Sequence, residues 1–397
     1  MEDRPSQPQR HRFRKSNSVN RIYLDHNATS PILPRVREGL LELLDSHHWG
    51  NPSSLHEDGR HARKILEEAR DRVAFALHVE PSEIVFTSGG TESNNLAITG
   101  LVTDDSSIST STVEHPSVLE PVKKQHQLGR SGSLIPVDPS GRLELDQVPD
   151  KGLVSIQWIN NETGICQDLD LIGEAVHRSG GKLHSDGAQG FFREPIHLGN
   201  SNLDSASITS HKSGGPSGVG ALWVRKGLLH QPSTHGGPQE KKIRPGTENL
   251  LAIHGMGLLA ESFSSDQPWN RERLKECRNQ FANALSELPN HQIIQQSDRD
   301  WPGCINVSLS GIHAETLLVR LDMVGISASS GSACSSGARE PSHVLKAMGI
   351  ADKDIRGSIR ISLGPDTTID HMQQTARHLT TIVTELRQKS AGQPPVL

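Results

Sequence analysis

Large aromatic side chains are scarce in this 397-residue chain: one Tyr, five Trp and seven Phe make up only 3% of it. Apolar residues reach 33%. These values are low, yet the apolar segments are well formed, so the composition fits a globular chain rather than a disordered one. Cysteine is also sparse. Cys166, Cys277, Cys304 and Cys334 form no Cys-x-x-Cys pair and no Cys/His cluster with zinc spacing, which argues against a structural zinc site or a disulfide scaffold and suits a reducing cytoplasm. No stretch approaches the roughly 20 apolar residues of a membrane helix. The net charge of -5 gives no electrostatic case for nucleic acid as a partner. The length allows two domains or one large α/β unit with a sizeable core.

Residues 1–20 are polar and basic, with Arg4, Arg10, Arg12, Arg14 and Lys15. They lack the apolar core of a secretory signal and read as a disordered tail. Glu2 and Asp3 argue against a transit peptide. From residue 21 onward, helical spacing over 34–44 and 56–77 is followed by alternation. Short strands at 84–86, 153–159, 182–184, 206–208 and 220–224 are interleaved with helices at 91–101 and 169–177. Such alternation predicts a mostly parallel sheet covered on both faces. After a Gly/Pro-rich stretch (235–246) and helices at 250–263 and 271–288, the pattern changes. Strands at 305–309, 327–328 and 359–363 with a final helix at 368–388 predict a smaller α+β domain. The expected division is a tail over 1–20, a large domain over 21–264 and a small domain over 265–397.

Five segments carry candidate chemistry. Ser210-His211-Lys212-Ser213-Gly214-Gly215 places a lysine between a strand and a glycine-rich loop, where desolvation would free its amine; a surface lysine fits equally well. His184-Ser185-Asp186-Gly187-Ala188-Gln189 puts a carboxylate at a strand's C-terminal end, where open α/β sheets place ligand groups, though a turn-capping Asp reads the same. Thr87-Ser88-Gly89-Gly90-Thr91-Glu92 joins a strand to a helix N-terminus and fits either a phosphate cradle or an ordinary capped turn. It is neither Gly-x-Gly-x-x-Gly nor a P-loop. His115 follows a β-like run and suits either stacking on a planar ring or solvent. Ser329-Ser330-Gly331-Ser332-Ala333-Cys334-Ser335-Ser336-Gly337 surrounds one cysteine with small residues, an accessible setting unlike that of a structural cysteine.

Taken in order, these segments resemble the cysteine desulfurases of the class V aminotransferase family, which are fold type I pyridoxal-phosphate (PLP) enzymes. Tyr23-Leu24-Asp25-His26-Asn27-Ala28-Thr29, Gly50-Asn51-Pro52-Ser53-Ser54, Asn160-Asn161-Glu162 and Glu340-Pro341-Ser342-His343-Val344-Leu345 extend the resemblance over about residues 22–364. The resemblance implies a seven-stranded, mostly parallel sheet between helices in the large domain. It implies Lys212 as the Schiff-base lysine, His115 stacked on the ring, Asp186 at the ring nitrogen and Gln189 at the ring oxygen. Gly90, Thr91, Thr209 and His211 are implied at the phosphate. Thr247 is implied at the phosphate of a neighbouring subunit, hence a homodimer. Asn161 and Arg360 are implied at the substrate carboxylate, a task that suits the planar guanidinium fork.

The implied reaction takes L-cysteine to L-alanine. Lys212 moves a proton from the substrate α-carbon, and Cys334, in a loop over about 327–342, receives the sulfur as a persulfide. His115 is assigned to proton transfer with it. The cysteine loop is similar to the long-loop type that serves iron–sulfur assembly scaffolds, so a scaffold-like sulfur acceptor is implied. No resident metal is, beyond an iron–sulfur contact through Cys334. The loop after Lys212, Pro238 and Pro245 depart from the usual wording. Extra prolines stiffen a loop near the implied subunit interface. Cys334 speaks against an aminotransferase, while selenocysteine lyase remains the alternative because the two substrates differ by one atom.

Overall fold

A computed structural model describes residues 21–46, 50–102, 106–228, 231–294, 296–331 and 341–391. The basic tail and Cys334 therefore lie outside the described residues. In chain order the first elements are β1 (Ile22–Tyr23), α1 (Pro34–Asp45), α2 (Glu57–Leu77), β2 (Ile84–Thr87), α3 (Gly90–Gly100), β3 (Ile108–Ser111), α4 (Pro116–Gln127) and β4 (Leu134–Ile135). Next come β5 (Leu153–Gln157), α5 (Leu169–His177), β6 (Lys182–Asp186), β7 (Ser205–Thr209), β8 (Gly220–Val224), α6 (Leu250–Asp266) and α7 (Arg271–Leu285). The last are β9 (His291–Ile293), β10 (Cys304–Leu309), α8 (Ala314–Met323), β11 (Ile326–Ser327), α9 (His343–Ala347), α10 (Asp352–Ile355), β12 (Ser358–Ser362) and α11 (Ile369–Ala391).

Seven strands form one sheet in the order β2-β8-β7-β6-β5-β3-β4, with β8 antiparallel to both of its neighbours. This is the expected α/β sheet. Strands β5, β7 and β8 are buried at every position, and β6 at every position but Lys182, as a sheet covered on both faces demands. One face packs Val36, Leu66, Val73, Ile253, Met256 and Leu259 of α1, α2 and α6 against Phe86, Ile208 and Trp223. The other packs Leu96, Ile98, Val118 and Val122 of α3 and α4 against Val85, Ile108 and Leu222.

A second core lies around the three-stranded antiparallel sheet β12-β10-β9. Leu274, Phe281 and Leu285 of α7 and Met372, Leu379 and Val383 of α11 cover Ile305, Val307, Ile359 and Ile361. The start of the chain joins this core: β1 pairs in parallel with β11, and Ile22 and Leu24 are buried in it. The chain therefore passes from the second core to the large sheet and back. That path stations Asp25, His26 and Asn27 between the two.

The sequence pattern does not give β4, β9 or α4, and it shows β3 only as a β-like run before His115. The strand β3 reads Ile-Ser-Thr-Ser, with too little apolar alternation to announce itself. Its burial is made tolerable by hydrogen bonds, Thr110 Oγ1 to Ser155 O at 2.7 Å and Ser111 Oγ to Glu114 Oε1 at 2.6 Å. Helix α4 contains Pro116 and Pro121. Pro116 stands in the first turn, where its missing N–H has no intrahelical acceptor to lose.

Candidate active site

The parallel strands point their C-terminal ends to one edge of the sheet, and the predicted residues stand there. Asp186 ends β6, Thr209 ends β7 with His211 and Lys212 next, His115 follows β3 and caps α4, and Gly90 opens α3 after β2. Open α/β sheets bind ligands at this edge. The backbone between β2 and α3 reverses at Gly89, whose φ of 154° with ψ of -177° suits glycine. The free N–H groups of the first turn of α3 then face the edge.

Together these ends enclose a cavity of about 330 Å³. Lys212, His115, Asp186, Gln189, Gly90, Thr91, Thr209 and His211 line it from the large sheet, and Asn161 and Arg360 are also in its lining. Thr247 does not line it. That residue is exposed, two residues before Asn249, the cap of α6. The loop that carries it is tied to α2 by a buried Arg70–Glu240 ion pair at 2.7 Å and to α3 by Arg244 Nε on Glu92 at 2.9 Å. Gly331, three residues before Cys334, is also in the cavity lining. A larger cavity of about 780 Å³, under Arg142, Trp158 and Leu171, holds none of the predicted residues. Convergent ionisable groups, rather than size, single out the smaller one.

The hydrogen bonds within the cavity wall are directional. Asp186 Oδ2 accepts from Asn94 Nδ2 at 2.8 Å and Oδ1 from Ala188 N–H at 3.0 Å. The same Asn94 Nδ2 donates to Ser117 Oγ at 2.8 Å. Ser117 Oγ in turn lies 2.8 Å from His115 Nδ1, which also accepts the Ser117 N–H at 3.1 Å. With Nδ1 accepting, the neutral imidazole carries its proton on Nε2. Burial and the neighbouring Lys212 charge lower the His115 pKa, against the opposing pull of Asp186. His211 is pushed down to about 4, first by burial and then by Lys212 and Arg193.

Gln189 is fixed in one orientation, with Oε1 accepting from Arg193 Nη1 at 2.7 Å and Nε2 donating to Asn27 O at 3.0 Å. Arg193 is buried, sits over the Trp269 ring at 4.5 Å and donates from Nε to Lys212 O at 3.1 Å. Ser30 Oγ donates to the same carbonyl at 2.8 Å. The peptide of Lys212 is therefore held from two sides. Across the cavity, Arg360 donates from Nη1 to Asn161 O at 3.1 Å and from Nη2 to Asp25 Oδ1 at 2.8 Å.

Three buried polar atoms of the cavity-lining residues have no partner among the described residues: Asn94 Oδ1, Thr209 Oγ1 and Arg360 Nε. Leaving such groups unpaired costs about 1–3 kcal/mol each, a cost that a bound ligand atom would remove. Thr209 stands beside the first turn of α3, a pairing suited to a phosphate. Arg360 Nε suits a carboxylate. The donor set thus fits a phosphorylated pyridine cofactor at one end and an amino-acid carboxylate at the other.

Glu162 stands in the Asn160-Asn161-Glu162 segment and Asn94 four residues after Gly90, yet the sequence singles out neither of them, nor Ser117 or Arg193. For Asn94 the available signal was its place one turn into the helix after Gly90. For Arg193, which lies four residues after Gln189, helical-turn spacing was the only hint.

Comparison with known proteins agrees with this geometry. The family described as Aminotransferase class-V matches residues 22–374. A cysteine desulfurase IscS of Dictyoglomus turgidum is 38% identical over 377 residues, covering 92% of this chain and 95% of that protein. A putative cysteine desulfurase, IscS 1 of Bacillus subtilis, is 38% identical over 379 residues, covering 93% and 100%. Among solved structures, a NifS-like protein superposes with a TM-score of 0.84 at 32% identity, covering 92% of this chain and all of that one. A second, the NifS-like protein of Rickettsia africae, gives 0.81 at 33% identity, covering 93% and 99%. The chain therefore belongs to the cysteine desulfurase family, within the class V aminotransferases of PLP fold type I.

Proposed function

We propose that this protein binds PLP and is a cysteine desulfurase that releases L-alanine from L-cysteine and carries the sulfur as a persulfide on Cys334. The observation that supports this most is the single cavity in which Lys212, Asp186, His115 and Arg360 meet Gly331. Cys334 is three residues from Gly331, a tether of about 11 Å at full extension, so its thiol lies within reach of the cavity.

When bound, the cofactor ring supplies an electron sink for the substrate α-carbon. Lys212 would hold it covalently and Asp186 would hold the proton at its ring nitrogen. Gln189 would donate its remaining amide hydrogen to the ring oxygen. The α3 N-terminus with Thr91, Thr209 and His211 would hold its phosphate. Arg360 and Asn161 would orient the substrate carboxylate. The Lys212 amine would move the α-proton once substrate has displaced it. His115, with its proton on Nε2, would exchange a proton near the reacting atoms.

The Cys334 thiolate attacks the substrate sulfur. An S–S bond forms, the C–S bond breaks with its electron pair left on carbon, and a proton completes alanine. The finer reading is a homodimer in which Thr247 reaches the neighbouring phosphate, a cytoplasmic setting, and a sulfur acceptor such as an iron–sulfur scaffold. The exposure of Thr247 outside its own chain's cavity supports the shared site. Among the described residues no helix is long and apolar enough to cross a membrane.

The test uses purified protein with PLP, L-cysteine and a thiol reductant, comparing wild type with Lys212→Ala and Cys334→Ser. Equal release of alanine and sulfide by wild type, and by neither variant, is the expected result. Cofactor absorbance without alanine would move the function to another PLP reaction.

A further inference from the structure

The segment that carries Cys334 leaves the described fold after Gly331 and rejoins it at Pro341. Both roots meet one buried side chain. Glu162 is 3% exposed. Its Oε2 accepts from Ser342 Oγ at 2.5 Å, and that hydroxyl also accepts the Leu345 N–H at 3.1 Å, capping α9. On the incoming side, a Cβ built on Gly331 would fall 2.1 Å from the same Oε2. The Gly331 backbone is thus packed on the carboxylate, and a side chain at 331 would have to displace it.

The backbone of Glu162 is itself fixed. Its N–H is held by Asn160 Oδ1 at 2.9 Å, and its carbonyl accepts from Cys304 Sγ and Asn306 Nδ2, each at 3.4 Å. Burial raises its pKa, opposed by the Ser342 hydroxyl and by the charges of His343 and Arg360.

The same corner holds the substrate-carboxylate residues. Ser329, two residues before Gly331, exchanges both backbone hydrogen bonds with Arg360, at 3.1 and 2.6 Å. Asn161, next to Glu162, accepts Arg360 Nη1 at its carbonyl. We propose that Glu162 is a positioning residue that clamps both roots of the Cys334 segment to the Arg360 corner, so that the thiol is presented in register with bound substrate. A buried carboxylate is costly to maintain unless its partners need it, and here the partners are the two ends of one functional segment.

The inference rests on the desulfurase reading for the role of Cys334, and its test separates the two. Holoenzyme of wild type, Glu162→Ala, Glu162→Gln, Gly331→Ala and the Glu162→Ala/Gly331→Ala double variant would be compared. Alanine release gives kcat and KM, and amide hydrogen exchange is read at Ser329 and Leu345. For Glu162→Ala the clamp predicts a kcat lower by roughly 10- to 100-fold, KM within about 3-fold and exchange at both amides faster by about 10-fold.

Gln keeps an acceptor for Ser342 at nearly the same size, so Glu162→Gln recovers most of the rate. Gly331→Ala lowers kcat as well. The double variant is no slower than Glu162→Ala alone, because the atom that the new methyl meets is gone. Unchanged exchange at Ser329 and Leu345, a raised KM with unchanged kcat, or Gln failing as badly as Ala would each overturn the clamp. If Glu162→Ala does not fold, Gly331→Ala and Glu162→Gln decide by the same criteria. Wild type that makes no alanine from cysteine sinks the desulfurase reading, while the exchange comparison still decides the clamp.

Discussion

The cavity has two unlike walls. The large-sheet wall is built from strand ends and the turns that follow them, so Asp186, His211, Lys212 and His115 each sit within a few residues of a β-strand. The opposite wall draws Asn27, Asn161, Gly331 and Arg360 together, with Arg360 hydrogen-bonded to Asn161 and, behind the wall, to Asp25 across 199 and 335 residues of chain. The first wall is a feature of sheet topology, and it holds a cofactor-like donor set. The second is a feature of tertiary assembly, where substrate binding and the Cys334 segment share a corner. A cofactor must stay put, whereas substrate and sulfur must come and go, and the two constructions match those demands.

If the walls divide the work in this way, their variants should fail differently. Lys212→Ala gives the largest effect, removing both the covalent hold and the α-proton carrier, so alanine release falls to background in a steady-state assay. Arg360→Ala comes next. Loss of the charged fork costs roughly 2–4 kcal/mol, or about 30- to 1,000-fold in kcat/KM for cysteine, and cofactor absorbance should persist. Loss of absorbance in Arg360→Ala would break the comparison, because it would place that residue in the cofactor's wall.

Asn94→Ala sharpens the comparison from the other side. One amide nitrogen serves both Asp186 and the Ser117–His115 pair, so its removal leaves two buried acceptors short of a donor, at about 1–3 kcal/mol. The expected outcome is faster cofactor dissociation by about 10-fold on dilution, with KM for cysteine little changed.

The smallest effect concerns the sheet beneath the site. His184 is fully buried between Ser155 Oγ at 2.8 Å and Ser207 Oγ at 3.0 Å. Burial pushes its pKa from 6.5 down to about 4. A depressed pKa means the folded state resists protonation. The stabilisation is therefore full above pH 6.5 and is lost as pH falls from there towards 4. Thermal unfolding of His184→Gln should show a flatter dependence across that window than wild type.

Much of the first wall was legible in the sequence, because a parallel sheet announces itself through apolar strands and puts its chemistry immediately after them. The second wall was legible only in part. Arg360 and Asn161 stood out through the family resemblance, but nothing in local spacing tells Glu162 that it will meet Gly331 and Ser342, or Arg193 that it will hold Gln189. Those contacts depend on where the small sheet docks, and sequence periodicity carries no record of it. The polar residues of β3 and the prolines of α4 obscure those elements for the opposite reason: hydrogen bonds satisfy Thr110 and Ser111 in β3, and Pro116 stands in the first turn of α4, although Pro121 lies inside the helix.

The central claim is that substrate sulfur passes to Cys334. The direct measurement is a single turnover of holoenzyme with L-cysteine and no reductant, followed by peptide mass mapping alongside alanine quantitation. The account predicts one alanine per active site and a gain of one sulfur atom on the peptide containing Cys334. Alanine formed without added sulfur on that peptide, or sulfur found on Cys166, Cys277 or Cys304 instead, would contradict it.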